Sequence, residues 1–330
     1  MKLSHLIKTS SAMAFGAALV VGTAGSALAE YPDKPIKLLV GYSAGGGTDT
    51  TARGFASYVH EIPEMNGMPM VVINKPGGSG MKAAKVVKDG KADGYMLYII
   101  NSGSFATAEM SNPNSLVKPL QDFDNLGCMS QLITSLQVQT SSPHKTAADW
   151  VKAMKASGKK VRWATPGATS MHALIGHLFL DTVGISHQVI PFKGGSKARG
   201  ALVAGKVDVA FNGVNNIAGF EKEIRGIGVP LTKRDPAAMD IPTFGEQGLP
   251  PINVGGLFCL WAKKGVPADR RAKLEAAVKG VAAIKGFKKF MNKSKLSAFH
   301  MTAAEGLAGT KALYDTLGPA VKKVLLGKKK

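Results

Sequence analysis

Short apolar runs alternate with stretches of helical period along most of the chain. Ile36-Lys37-Leu38-Leu39-Val40 is rich in strand formers and ends in the polar loop SAGGGTD, after which a helix is predicted from about Thr48 to His60. Met70-Val71-Val72-Ile73 predicts a second strand, broken by Lys75-Pro76-Gly77-Gly78. A helix around 81–89 and a strand from Tyr95 to Ile100 follow, closed by the loop NSGS at 101–104. Beyond about residue 135 the alternation resumes with strand LQVQT, helix 146–157, strand VRWAT, loop PGATS and helix 170–181. Strand HQVIPF, loop KGGS, a helix to Ala204, strand VDVAF and a short helix near 214–224 come next. Residues 268–291 and 303–325 read as helices. Strands alternating with helices predict parallel sheets covered on both faces, and no solenoid repeat is visible.

One position in this pattern recurs. Four strands end in a short Gly/Ser/Thr loop that opens a helix: SAGGGTD, NSGS, TPGATS and FKGGS. In open α/β sheets, ligands bind at the carboxyl ends of strands. There the unpaired N–H groups and the dipole of the following helix favour an anion. Glycine removes the Cβ that would hold a carboxylate away from the backbone. Four such loops, spread over both halves of the chain, predict an anion-binding cleft between two lobes.

Composition narrows the setting. The 330 residues are 45% hydrophobic and 19% charged, which excludes a disordered chain. Only 2 Cys exclude a disulfide scaffold and a cysteine-rich zinc module. Lys2 and Lys8 followed by an uncharged stretch ending in Ala27-Leu28-Ala29 have the form of a signal peptide over 1–29, cleaved before Glu30. An uncleaved anchor is the competing reading, but Gly, Ser and Thr dilute the stretch. Cleavage leaves 40 basic against 22 acidic groups, lowering the net charge from +20 to +18. The surplus implies an anionic partner, and export makes nucleic acid an improbable one. The lysine clusters at 285–295 and 328–330 lack the aromatic interleaving that nucleic-acid binding calls for and read as solvated surface.

Catalytic signatures are weak. Gly41-Tyr42-Ser43-Ala44-Gly45 matches the G-x-S-x-G nucleophile elbow, with His172, His177, His187 or His300 as a possible base. The elbow normally follows several strands, whereas here it ends the first, and nothing upstream supplies an oxyanion hole. His172 and His177 lack the H-E-x-x-H arrangement of a zinc hydrolase, and SAGGGTD lacks a Walker lysine. No metal or cofactor is expected. The two cysteines, Cys128 and Cys259, have a spacing that leaves a disulfide open.

YPDKPIKLLVGYSAGGGTD at 31–49 closely resembles the opening of the receptors of the tripartite tricarboxylate transporter family, also called Bug receptors. The resemblance continues through VVINKPGGSG at 71–80, ADGYMLYIINSGS at 92–104, GATSMHALIGHLF at 167–179, VIPFKGGSKA at 189–198, GKVDVAFN at 205–212 and DIPTFGEQG at 240–248. It implies an α/β, two-lobed periplasmic binding protein fold (a Venus flytrap). Each lobe would be a mostly parallel sheet flanked by helices, with two hinge crossovers near Gln131–Ser135 and Gly255–Leu260. Lobe 1 would take 30–132 and 257–330, and lobe 2 would take 133–256. Both cysteines lie near these crossings, which favours their pairing.

The resemblance implies a ligand carboxylate gripped by backbone N–H groups and hydroxyls at Tyr42, Ser43, Ala44, Gly45, Gly46, Gly47, Asn101, Ser102, Gly103, Ser104, Thr165, Gly167, Ala168, Thr169, Ser170 and His172. Asp49 either caps its helix or receives a ligand amino group, while Lys193 and Asn212 flank the distal part. Ala44 replaces a common proline, and Asn212-Gly213 stands where an acidic or polar pair is frequent. Gly255-Gly256 occupies an aromatic region and is expected to open the cleft. The expected protein is a monomeric periplasmic receptor that delivers a small organic acid to membrane permease subunits. Alternatives are a sensor component or a Ser43 esterase. The esterase predicts turnover of an activated ester that disappears in Ser43→Ala; a receptor predicts no turnover in either protein.

Overall fold

The structure, a computed structural model, describes residues 30–326, so the expected signal peptide and the Lys328–Lys330 tail lie outside the described residues. The chain opens with strand β1 (Ile36–Val40), helix α1 (Gly47–Tyr58), β2 (Met70–Asn74), α2 (Met81–Asp89), β3 (Met96–Asn101) and α3 (Ser102–Met110). A single helical turn, α4 (Pro119–Asp122), leads into the long strand β4 (Phe123–Leu132). Then come β5 (Thr134–Gln139), α5 (Ala147–Ser157), β6 (Val161–Pro166), α6 (Met171–Thr182), β7 (His187–Phe192), α7 (Gly195–Val203), β8 (Val209–Gly213) and β9 (Ile224–Gly228). The chain closes with β10 (Gly256–Lys263), α8 (Ala268–Ala283), α9 (Lys285–Lys293), β11 (Ala298–Met301) and α10 (Ala303–Val321).

Among the described residues these strands form two sheets, ordered β11-β4-β10-β3-β1-β2 and β7-β6-β8-β5-β9. β1 runs parallel to β2 and β3, and β6 runs parallel to β7 and β8. The other half of each sheet is antiparallel, so the sheets are mixed where mostly parallel ones were expected. The reason is connectivity. β4 and β10 are the strands through which the chain leaves the first sheet and returns to it, and they pair antiparallel to each other. Only Ile133 separates β4 from β5 in the second sheet. Pro191, which cannot donate to a ladder, sits in edge strand β7.

The apolar pattern is satisfied by two aromatic clusters. Phe105 lies edge-on to Tyr98, Phe123 and Trp261 at centroid distances of 5.4, 5.4 and 5.5 Å. In the second lobe Trp163 and Phe179 pack on Phe211, and Phe179 stacks on Phe244 at 4.2 Å. The first-lobe residues are fully buried, which is why α3 (SGSFATAEM) has no polar face and its first turn reads as a loop. β4, β9, β10 and β11 are not among the expected strands; polar residues and glycines interrupt the apolar runs of β4 and β9. The short helix expected near 214–224 is a 3₁₀ turn, Val214–Asn216, followed by loop. The helix expected over 268–291 breaks at Ile284, whose extended backbone separates α8 from α9. In α9, Phe287 and Met291 are buried while Lys285, Lys288, Lys289 and Lys293 stay solvated.

Cys128 on β4 and Cys259 on β10 are register partners and form a disulfide. It ties together the two strands that carry the chain between sheets, across a separation of 131 residues. Closing a loop of that length restricts the unfolded chain by about 3–5 kcal/mol. Replacing both cysteines with alanine is expected to lower the melting temperature by roughly 5–10 °C, read by calorimetry of oxidised protein.

Candidate functional site

The strand-end loops converge on a small cavity of about 30 Å³, room for a carboxylate-sized group. The first loop, after β1, supplies Tyr42, Gly46, Gly47 and Thr48; the loop after β7 supplies Gly195. Asn101 and Ser104 come from the β3–α3 junction, Pro166 from β6 and His172 from α6. Asn212, Asn215 and Asn216 come from β8 and the turn after it, and Leu132 and Phe258 from β4 and β10.

Two helices begin at this cavity, and neither has a side-chain cap. The N-caps of α1 and α7 are Gly46 and Gly194, and neither makes a side-chain capping hydrogen bond. The loops lie so close that a Cβ on Gly194 would sit 2.8 Å from the Ser43 nitrogen, and one on Gly195 would sit 2.6 Å from Asn216 Nδ2. Glycine is required here by the approach of the two backbones. The first-turn N–H groups and positive dipole ends of α1 and α7 therefore face a common space. α3 and α6 differ: Asn101 Oδ1 accepts from the Ser104 N–H at 3.0 Å, and Ser170 Oγ accepts from the Ala173 N–H at 3.2 Å.

Side-chain amides complete the wall. Asn212 Nδ2 donates to the Gly195 carbonyl at 3.0 Å, and Asn216 Nδ2 donates to Asn212 Oδ1 at 3.1 Å. Two amide atoms remain unsatisfied although buried: the donor Asn101 Nδ2 and the acceptor Asn216 Oδ1. Both belong to residues lining this cavity, while other buried polar atoms without partners, such as Ser130 Oγ, Gln137 Oε1 and Trp261 Nε1, lie elsewhere. His172 is 6% exposed, with Nδ1 2.9 Å from Thr134 Oγ1. Burial pushes its pKa down to about 3, so the ring is neutral at physiological pH.

The lobes are latched directly outside the cavity. The Ser43 N–H and hydroxyl both donate to the Lys193 carbonyl, at 2.9 and 3.0 Å, and the Ser196 hydroxyl donates to the Ala44 carbonyl at 2.6 Å. On the other side the Thr169 N–H donates to Ser79 Oγ, the Met171 N–H to Ser104 Oγ, and the Thr107 hydroxyl to the Thr169 carbonyl.

The residues singled out from the sequence thus separate into groups. Tyr42, Gly46, Gly47, Asn101, Ser104, His172 and Asn212 line the cavity. Ser43, Ala44, Thr169 and the Lys193 backbone form the latch, and the Lys193 side chain is exposed. Gly167, Ala168, Thr169 and Lys193 also line a larger open groove of about 960 Å³. Ser102 accepts from the Leu257 N–H and Ser170 caps α6; Gly45 donates its N–H to Asp49, while Gly103 packs against Met171. Thr165 is buried beside Pro166 with its hydroxyl unpartnered. Asp49 turns back onto its own loop, accepting from the Gly45 N–H at 2.8 Å. Beyond Gly255-Gly256, where an opening was expected, Phe258 closes the wall. Sequence reasoning missed Leu132, Pro166, Gly195, Asn215, Asn216 and Phe258, while Thr48 lies within the SAGGGTD loop it singled out; the Asn-rich run after VDVAF was the readable signal.

For an esterase, Ser43 would need a basic partner. Its hydroxyl instead donates to a backbone carbonyl, while His172 bonds Thr134 and His187 accepts from Trp163 Nε1 at 3.1 Å. Among the described residues no group of three or more His, Cys, Asp or Glu comes together as metal ligands would.

The family described as "Tripartite tricarboxylate transporter family receptor" matches residues 56–312. A UPF0065 protein encoded in the TAR-I ttuE-ttuC′ intergenic region of Agrobacterium vitis is 31% identical over 251 residues, covering 76% of this chain and 71% of that protein. The structure of the periplasmic binding protein BugD is similar with a TM-score of 0.83 and 25% identity, covering 89% of this chain and 98% of that one. MatC from Rhodopseudomonas palustris, solved with malate, shares the fold at a TM-score of 0.81 and 23% identity, over 88% of this chain and 100% of that one.

The neutral buried histidine has a measurable consequence. Its folded-state pKa lies below the unfolded value near 6.5, so between pH 6.5 and about 3 the unfolded chain holds the extra proton and stability falls as pH falls. His172→Gln is expected to flatten this limb by up to about 1.4 kcal/mol per pH unit, measured by denaturant titration from pH 7 to pH 4.5.

Proposed function

Because the chain belongs to the tripartite tricarboxylate transporter receptor family, we propose that it is a periplasmic receptor that captures a small carboxylate between its lobes and delivers it to membrane permease subunits. The observation that carries this reading is the pair of facing, uncapped N-termini of α1 and α7 at one buried cavity. Their N–H groups and dipole ends match a carboxylate without any lysine or arginine in the wall. Hydrogen bonds from donors to a charged acceptor contribute about 1.5–3 kcal/mol each, more than neutral ones. Asn101 Nδ2 is a further donor whose own partner is missing from the protein.

Binding on this reading is a hinge motion. The lobes, 30–132 with 257–330 and 133–256, part about the segments near Ile133 and Gly256. The ligand enters the open cleft, and closure brings α7 against α1. The Ser43–Lys193, Ser196–Ala44 and Thr169–Ser79 hydrogen bonds then latch the closed form, which the permease reads. Residues 1–29 act as a cleaved export signal, and the mature receptor is a monomer that needs no cofactor and performs no covalent step.

Thermal shift of the purified protein against mono-, di- and tricarboxylates tests the reading. A matching acid at 100 times its Kd adds about 2.7 kcal/mol, a rise of roughly 5 °C. Gly195→Val, whose side chain meets Asn216 and Asn212, should abolish that rise while the protein remains folded. Stabilisation by neutral sugars and by no carboxylate would sink the proposal.

A further inference from the structure

Helix α9 carries a charge pattern that its own fold does not compensate. Lys285, Lys288, Lys289 and Lys293 are exposed along one side of the helix, while Phe287 and Met291 are buried on the other. Lys285 with Lys289, and Lys289 with Lys293, stand four residues apart, a spacing at which like charges repel along a helix. Lys285 also occupies the first position, where the positive end of the helix dipole disfavours a cation, and no side chain caps that end. From residue 276 to 304 the sequence contains no Asp or Glu. Among the described residues none of the four lysines has an ion-pair partner, and Asp240 pairs with Lys295 at 3.2 Å instead.

Packing holds the helix in place despite this repulsion. Phe287 lies edge-on to Tyr58 at 6.3 Å, and Phe290 lies over Gly54 of α1, where a Cβ would meet its ring at 2.6 Å. The lysine face is bordered by apolar side chains that reach solvent. Phe290 is 37% exposed and Met239 is 58% exposed. Met239 lines a surface depression together with Asn292, Lys293 and Lys295. None of these residues lines the cavity at the strand ends, so the surface is separate from the ligand site.

A basic helix face flanked by exposed apolar groups has the chemistry that an anionic lipid surface recognises. Lysines are drawn to the headgroups and the apolar side chains enter the boundary beneath them. Every cation on the face is lysine, and no arginine occurs beyond Arg271. Lysine is a hydrated point charge on a flexible stem, which suits mobile headgroups; the planar arginine fork suits the fixed carboxylates of a protein partner. We propose that the lysine face of α9 docks the protein on a bilayer surface rich in anionic phospholipid, with Met239 and Phe290 at its apolar margin. This docking is independent of what the cavity holds.

Co-sedimentation of the mature protein with lipid vesicles tests the proposal, in about 0.1 M salt, where charges more than about 10 Å away are screened. Vesicles of phosphatidylglycerol and phosphatidylcholine in equal parts are expected to bind it at least about tenfold more tightly than phosphatidylcholine alone. Replacing Lys285, Lys288, Lys289 and Lys293 together by glutamine is expected to weaken binding to the mixed vesicles by at least about tenfold. The same replacement at four exposed lysines elsewhere, Lys152, Lys155, Lys159 and Lys160, removes equal charge and should change binding by less than about threefold. Both variants should keep the wild-type melting temperature, since neither set lies in the core. Met239→Trp adds an exposed indole to a protein whose Trp150, Trp163 and Trp261 are buried, and its emission is expected to shift to the blue on the mixed vesicles. Equal loss of binding in the two lysine variants, or no blue shift in a Met239→Trp protein that binds, overturns the proposal. So does failure to bind the mixed vesicles; capture by immobilised polyglutamate in that case assigns the face to an acidic protein instead.

Discussion

The structure is organised around two helix N-termini that approach each other without side-chain caps. First-turn N–H groups need acceptors, and here Gly46 and Gly194 provide none. Their like-signed dipole ends repel unless something negative lies between them. Capping with Asp or Ser would satisfy each helix separately and fill the space between them. Leaving both caps to glycine leaves the first-turn N–H groups of both helices without a side-chain acceptor of their own.

Closure itself is built from short, specific hydrogen bonds on small residues. Ser43 to Lys193, Ser196 to Ala44, Thr169 to Ser79 and Met171 to Ser104 join backbone to backbone or hydroxyl to backbone. None joins two long charged side chains, so these contacts fix little side-chain rotamer freedom. The two sheets are joined tightly, because β4 passes into β5 through Ile133 alone and β10 is tied to β4 by the Cys128–Cys259 disulfide.

Charge is divided between surface and site. The chain carries a formal +20, yet no charged side chain lines the cavity. The lysines of α9 illustrate where the surplus goes: onto a solvated helix face opposite Phe287 and Met291. Exposed charge of this kind raises the local concentration of anions at low salt and is screened within about 10 Å at 0.1 M. The polar groups of the cavity wall are uncharged side chains and backbone.

The sequence by itself determined the alternation of strands and helices and the glycine loops at strand ends. These are local properties: strand runs such as Ile36–Val40 and loops such as SAGGGTD carry their own propensity and period. It also placed Tyr42, Gly46, Gly47, Asn101, Ser104, His172 and Asn212 at the strand ends that meet. Only the tertiary structure decided that β4 and β10 make the sheets mixed and that Cys128 faces Cys259. Likewise it alone turned Asp49 inward to Arg53 and Asn74, and brought Phe258 and Asn216 to the cavity. Apart from the Asp49–Arg53 pair within α1, those outcomes depend on pairings between distant segments, as in the Cys128–Cys259 disulfide across 131 residues. No local pattern encodes them, because a side chain's partner is fixed by where the two sheets bring its neighbours.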